Sequence, residues 1–252
     1  MTLLAVENIA VNFGGLRAVD DVSFATRAAE VLTIIGPNGA GKTTVFNLIS
    51  RVFETTAGHI AFDGRDITRA RPHCLAAMGV ARTFQNLELF ESGTVLENLL
   101  LGRHIHRRTT LVENLLFTRR VRRAELADRD EAGRVIEELG LVRYADTPIA
   151  SLSYGVRKIV ELARALCVQP RLLMLDEPSS GLGAEETATM ARWINDVRTR
   201  LGIAVLMIEH DMSLVNEVSD RVIALNQGRI IAEGSAAAVQ NDPEVVRAYL
   251  GG

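Results

Sequence analysis

Eight consecutive residues, Gly36-Pro37-Asn38-Gly39-Ala40-Gly41-Lys42-Thr43, form a glycine-rich run closed by a lysine and a threonine. Such glycines let the backbone curl so that successive N–H groups face a single anion. The Lys42 ammonium can then reach the β- and γ-phosphates of a nucleotide, and the Thr43 hydroxyl can join the shell of an Mg²⁺ ion. Thr44 follows at the start of a helix, whose N-terminal partial charge favours an anion. The glycine order is not G-x-G-x-x-G, so a dinucleotide site is not indicated. Of the 28 basic residues only Lys42 and Lys158 are lysines, and one of them occupies the motif position.

A second group lies far along the chain. The apolar run Leu172–Leu175 ends in Asp176-Glu177-Pro178. A carboxylate at the end of a buried strand can hold Mg²⁺, usually through its water. Glu177 is then placed to orient and deprotonate an attacking water.

Both groups need strands to position them. Val31–Ile35, Leu172–Leu175, Ala204–Ile208 and Val222–Leu225 are short runs, apolar throughout, between helix-length segments. That pattern predicts an α/β core with a mainly parallel sheet covered on both faces. In such a sheet the site lies beyond the carboxyl ends of the strands. Leu4–Ile9, Val22–Thr26 and His59–Phe62 predict a separate antiparallel β layer, with Asp63-Gly64 as a turn. A helix is expected over Lys42–Ser50. The middle of the chain reads as helical, with segments at Val95–Leu101 and Glu125–Leu139 and a poorly patterned stretch between them. The expected organisation is a single domain over residues 1–252. Its nucleotide-binding core spans 1–85 and 157–252, and a helical subdomain occupies 86–156.

Composition narrows the function classes. The 252 residues are 48% hydrophobic, enough for a large core, and the net charge of −3 argues against a nucleic-acid binder. No apolar run reaches the roughly 18 residues needed to cross a bilayer. The first residues lack the pattern of a signal peptide. Neither Cys74 nor Cys167 has a partner at metal-ligand spacing.

Taken together and in this order, the motifs resemble those of the ATP-binding subunits of ABC transporters, over nearly the whole chain. Gln85, in Arg82-Thr83-Phe84-Gln85, is similar to the family's Q-loop. Leu152-Ser153-Tyr154-Gly155 stands before an apolar helix, Val156–Val168, as the family signature does. His210, in Ile208-Glu209-His210-Asp211, resembles the switch histidine, and Phe13 the aromatic that stacks on adenine. The resemblance implies roles for each. Gln85 reaches Mg²⁺ or water, and its loop links the nucleotide to the helical insertion. His210 contacts the γ-phosphate and helps position Glu177 and the water. Ser153 and the Gly155 amide bind the γ-phosphate of an ATP held by a second ATPase subunit, identical or different. Multi-span permease subunits and, indirectly, an extracytoplasmic substrate-binding protein are the further partners implied. So is a peripheral place on the cytoplasmic face of the inner membrane.

Phe13–Val19, Val80–Phe90 and the C-terminal stretch from Asn226 to Gly251 resemble the branch that imports branched-chain amino acids and related molecules, including urea and aromatic acids. The ATPase of a lipopolysaccharide exporter shares the tail pattern, and a soluble ABC ATPase without a permease is the other alternative. Two positions depart from the family pattern. Val156 stands where the signature has Gln, and Gly183 where the segment after Pro178 has Asp or Asn. Both departures imply that the composite site this chain completes is the weaker of two. Finally, Arg103, Arg107, Arg108, Arg119, Arg120, Arg122 and Arg123 crowd a stretch whose only acid is Glu113, an expected contact for anionic headgroups or the permease.

Overall fold

The computed structural model describes residues 2–84, 87–106, 113, 115 and 118–250. It forms two compact units, one from Met1–Gln85 with Arg171–Gly252, the other from Asn86–Pro170.

The first unit contains both sheets. The antiparallel one has the order β2-β1-β4-β5, with β1 Thr2–Phe13, β2 Leu16–Arg27, β4 Ala57–Phe62 and β5 Arg65–Asp66. The other runs β10-β9-β3-β8-β7-β6, with β3 Val31–Ile35, β6 Val80–Arg82, β7 Leu172–Asp176, β8 Ala204–Ile208, β9 Arg221–Asn226 and β10 Arg229–Gly234. Neighbours in it are parallel except β9 and β10. Every residue of β3, β7 and β8 is buried, as runs without alternation require.

The period of two reappears in what each side chain touches. Leu32, Ile34, Ile223 and Leu225 pack with the antiparallel layer, through Leu4, Ile9, Ile60 and Phe62, and with helix α1 (Lys42–Ile49), through Val45, Phe46 and Leu48. Ile35, Val222 and Ala224 join the opposite cluster with Val215 of α7 (Met212–Val218), Val239 of α8 (Ala236–Gln240) and Val245 of α9 (Pro243–Leu250). The parallel sheet is thus sealed on both faces, and chemistry is confined to its edge. The register pairs Ile34 with Ile208 and Asp176 with Ile208, so β3, β8 and β7 end side by side.

The antiparallel layer is larger than the sequence suggests. β1 and β2 are the two 12-residue strands of a hairpin turning at Gly14-Gly15, and not the short strands expected at Leu4–Ile9 and Val22–Thr26. Four register shifts interrupt their pairing, and Asn8 and Asp21 sit at positive φ, so side-chain alternation breaks along the strands.

In the second unit α3 (Val95–Gly102) begins with a capping box. The Glu97 amide donates to the Thr94 hydroxyl (3.2 Å) and the Thr94 amide to the Glu97 carboxylate (2.8 Å). Helix α4 runs over Arg119–Glu138, capped by Thr118, and buries Val121, Asp128, Ala132, Val135 and Ile136 on one face. It starts six residues before the expected Glu125, because its arginine-rich first turn masks the apolar period. Helix α5 spans Tyr154–Leu166 and packs on α3 and α4. It therefore belongs with the helical unit, which extends to Pro170 and not to residue 156. The closeness is set by Gly102. A Cβ there would lie 2.4 Å from the Arg164 carbonyl oxygen and 3.2 Å from Cys167 Cβ. Arg103 is not part of a surface arginine cluster. It is buried, pairing with Asp128 (3.1 Å) and donating to the Cys167 carbonyl (3.0 Å). Arg119, Arg120, Arg122 and Arg123 are exposed, while Arg107 and Arg108 lie outside the described residues.

Gly102→Val should overpack the α3–α5 contact and lower stability by about 2 kcal/mol. Urea denaturation of the variant and the parent measures that loss. An unchanged midpoint would mean that the contact is not close.

Candidate functional site

The phosphate loop leaves the end of β3 and enters α1. Gly36, Gly39 and Gly41 all have positive φ, at 149°, 79° and 100°. Gly41 is the N-cap of α1, and no side chain caps it. The amides of the first turn are therefore left for an anion. Lys42 is buried, and its Nζ donates to the carbonyls of Gly36 (2.7 Å) and Pro37 (3.0 Å). Burial draws its ammonium below the usual lysine value, while the Glu177 and Asp176 carboxylates pull the other way.

Neighbours brace the loop. A Cβ on Gly36 would meet the Leu225 carbonyl at 2.2 Å, and one on Gly41 the Ala18 carbonyl at 2.7 Å. The Gly228 amide donates to the Ala40 carbonyl (2.9 Å). Helix α9 comes alongside: burial raises the Tyr249 hydroxyl above its ordinary value, partly offset by a hydrogen bond from the Gly36 amide.

The loop opens onto a cleft of about 900 Å³. Asn38, Gly39, Ala40, Gly41, Lys42, Thr43 and Thr44 line it together with Glu177 and Phe13. Phe13 is half-exposed and meets Phe53 edge-on at 5.0 Å between ring centres, which leaves a ring face for a planar base. Gly36 and Pro37 are part of the loop but not of this lining. Arg17, Ala18 and Gln227 also line the cleft, although the sequence assigns them no role.

Asp176 ends β7 and is buried. Its Oδ2 accepts from Arg82 Nη2 at 3.1 Å, and its amide donates to the Thr83 hydroxyl (3.4 Å). Arg82 Nη1 also donates to Asn47 Oδ1 and Ser50 Oγ, both at 2.7 Å. The guanidinium so ties β7, β6 and the end of α1, and this role is invisible without the fold. Glu177 takes φ 51°, a conformation few non-glycine residues adopt, and its amide donates to the Ile208 carbonyl (3.0 Å). That turn carries the side chain off the strand line and to the wall of the cleft.

His210 follows the next strand, β8, and is exposed. Ser153 caps α5, its hydroxyl 3.5 Å from the Val156 amide, and Gly155 is buried in the first turn; both lie in the helical unit. Gln85 lies outside the described residues. The donor set suits Mg²⁺: the Thr43 hydroxyl and the Asp176 carboxylate are oxygens, and phosphate and water oxygens complete such a shell. Among the described residues no group of three His, Cys, Asp or Glu side chains forms a site for a tightly coordinated metal.

A phosphate loop after one parallel strand and an Asp-Glu pair after the next but one define a P-loop nucleoside triphosphatase. The chain belongs to the ABC transporter family, as its ATP-hydrolysing subunit: residues 19–180 match that family's model, and residues 229–252 match the model described as branched-chain amino acid ATP-binding cassette transporter. It is similar to the high-affinity branched-chain amino acid transport ATP-binding protein LivG of Salmonella typhimurium, at 43% identity over 99% of this chain and 98% of the relative. The high-affinity branched-chain amino acid transport ATP-binding protein BraF of Pseudomonas aeruginosa is 40% identical over the same shares. Among solved structures, a nucleotide-free ATP-binding cassette from an ABC transporter superposes with TM-score 0.88 at 33% identity, covering 100% of both chains. A cassette in its ADP conformation gives 0.87 at 32%, again over 100% of both.

Removing Arg82 would leave Asp176 buried beside a lost cation. Arg82→Met should cost about 3 kcal/mol of stability, and considerably less in an Asp176→Asn background. Equal losses in the two backgrounds, read by urea denaturation, would show that the pair is not coupled.

Proposed function

We propose that the protein binds ATP with Mg²⁺ in the cleft between Phe13 and the phosphate loop, and hydrolyses it to power import of branched-chain amino acids or related small molecules. The observation that carries the reading is the joining of Phe13, residues 38–44 and Glu177 around one cleft at the strand ends, in a chain so similar to LivG and BraF. Phe13 stacks on adenine. The loop amides and Lys42 take the phosphates. Glu177 orients the attacking water and accepts its proton, and His210 contacts the γ-phosphate. When bound, Mg²⁺ would be held by Thr43 and Asp176 and would neutralise phosphate charge, and the family resemblance adds Gln85 to that set.

Ser153 and the Gly155 amide present a helix start to the γ-phosphate of an ATP on a second ATPase subunit, so two chains pair around two nucleotides. Multi-span permease subunits are the membrane partners, and a substrate-binding protein delivers cargo to them. In this reading the chain sits on the cytoplasmic face of the inner membrane, and no described helix is long and apolar enough to cross it. Val156 and Gly183 make the site completed by this chain the weaker of the pair, so the second subunit is a different ATPase.

Glu177→Gln should retain ATP binding and lose at least a hundredfold in turnover, whereas Lys42→Ala should weaken binding itself by tenfold or more. Fluorescent-nucleotide titration and phosphate release separate the two; full turnover in Glu177→Gln would exclude it as the base. Trapped-nucleotide analysis of the intact complex should find the two sites unequally hydrolysed. Affinity purification of the tagged chain from solubilised membranes should bring down two multi-span proteins and a second ATPase. Recovery of the chain alone would overturn the transport reading.

A further inference from the structure

Glu209 follows five consecutive buried apolar residues, and its own side chain is fully buried. A carboxylate in such a place costs several kcal/mol unless donors surround it. Here four donors do, and they divide between its two oxygens. Oε1 accepts from the Ser179 amide (3.0 Å) and the Ser179 hydroxyl (2.5 Å). Oε2 accepts from the His210 amide (2.6 Å) and the Asp211 amide (3.1 Å). Oε2 also stands 3.4 Å from His210 Nδ1, which favours the tautomer with Nδ1 protonated and Nε2 directed away.

The two oxygens thus hold two different loops. Ser179 lies two residues after Glu177, in the segment that returns from β7, and His210 begins the segment that leaves β8. From this geometry we propose that Glu209 is a positioning residue for ATP hydrolysis, one carboxylate that fixes His210 and the segment behind Glu177 in a single mutual arrangement. Displacing the Ser179 segment is then felt at His210, and the reverse holds equally. The carboxylate's four hydrogen bonds go to Ser179, His210 and Asp211, so the proposal assigns Glu209 to turnover and not to nucleotide affinity. The inference rests on the hydrolytic reading given above.

The test uses the full-length chain in its purified complex. Glu209→Gln preserves the side chain's size but sets an amide N–H₂ against donors. ATP affinity, from fluorescent-nucleotide titration, should stay within threefold, while phosphate release per bound ATP falls at least tenfold. Ser179→Ala should lose severalfold, and the double variant less than the product of the single losses. A purely structural role would lower the melting temperature and the number of competent molecules but leave turnover per bound ATP unchanged. That result would overturn the proposal. Should Glu209→Gln fail to fold, Ser179→Ala decides alone: unchanged turnover per bound ATP sinks the idea. A parent complex that binds ATP without hydrolysing it would instead refute the hydrolytic reading, and this inference with it.

Discussion

The phosphate loop can work only if its amides stay unspent. Any side chain that capped α1 from within would satisfy the helix and fill the cradle, and Gly41 offers none. The loop must then be held in a strained shape from outside. The β9–β10 turn does this through Gly228 and Leu225, the β2 backbone through Ala18, and the last helix through Tyr249 at Gly36. Residues more than 180 positions apart in sequence thus fix one turn. The carbonyls that Lys42 engages belong to the same loop, so its charge is kept at the site by the loop itself.

The strand ends around that loop present a second problem. A sheet sealed on both faces leaves its edge as the place for polar groups, and the edge is still largely dry. Asp176 and Glu209 both carry a carboxyl group almost without solvent. Each meets the cost differently. Asp176 takes a cation whose other arm is anchored at the end of α1, which links the end of β7 to the helix that follows the phosphate loop. Glu209 takes no full cation but four hydrogen-bond donors, three of them backbone amides. A carboxylate satisfied by amides fixes backbone, and here the backbone belongs to loops carrying Glu177 and His210.

How far this was legible in the sequence depends on whether a residue's role is local. The phosphate loop and the Asp176-Glu177 pair stand out in the sequence, because the chemistry proposed for each rests on spacing along one segment. The parallel core is legible for the same reason, since runs such as Ala204–Ile208 have one meaning in a covered sheet. The long β1–β2 hairpin is obscured by bulges, and α4 by a polar first turn. Arg82 and Glu209 sit within motifs the sequence marks, yet their roles depend on partners 94 and 30 residues away. A charge directly after an unbroken apolar strand was the available signal for Glu209. The placing of α5 with the helical unit rests on Gly102, whose lack of a Cβ matters only once Arg164 stands beside it.

The two departures from the family pattern gain meaning from their local structure. Gly183 is the N-cap of α6 (Ala184–Thr199), a position where Asp or Asn would normally accept a hydrogen bond from the first turn. Glu186 supplies only the other half of such a cap, its Oε2 accepting from the Gly183 amide at 3.1 Å. At the signature, Ser153 caps α5 whatever the side chain at 156, because it is the backbone amide of Val156 that faces its hydroxyl. What both remove is side-chain polarity at positions that the family pattern places against a second subunit's nucleotide. The proposed asymmetry would therefore fall on what the chain offers a partner, and not on its own phosphate loop, Asp176 and Glu177.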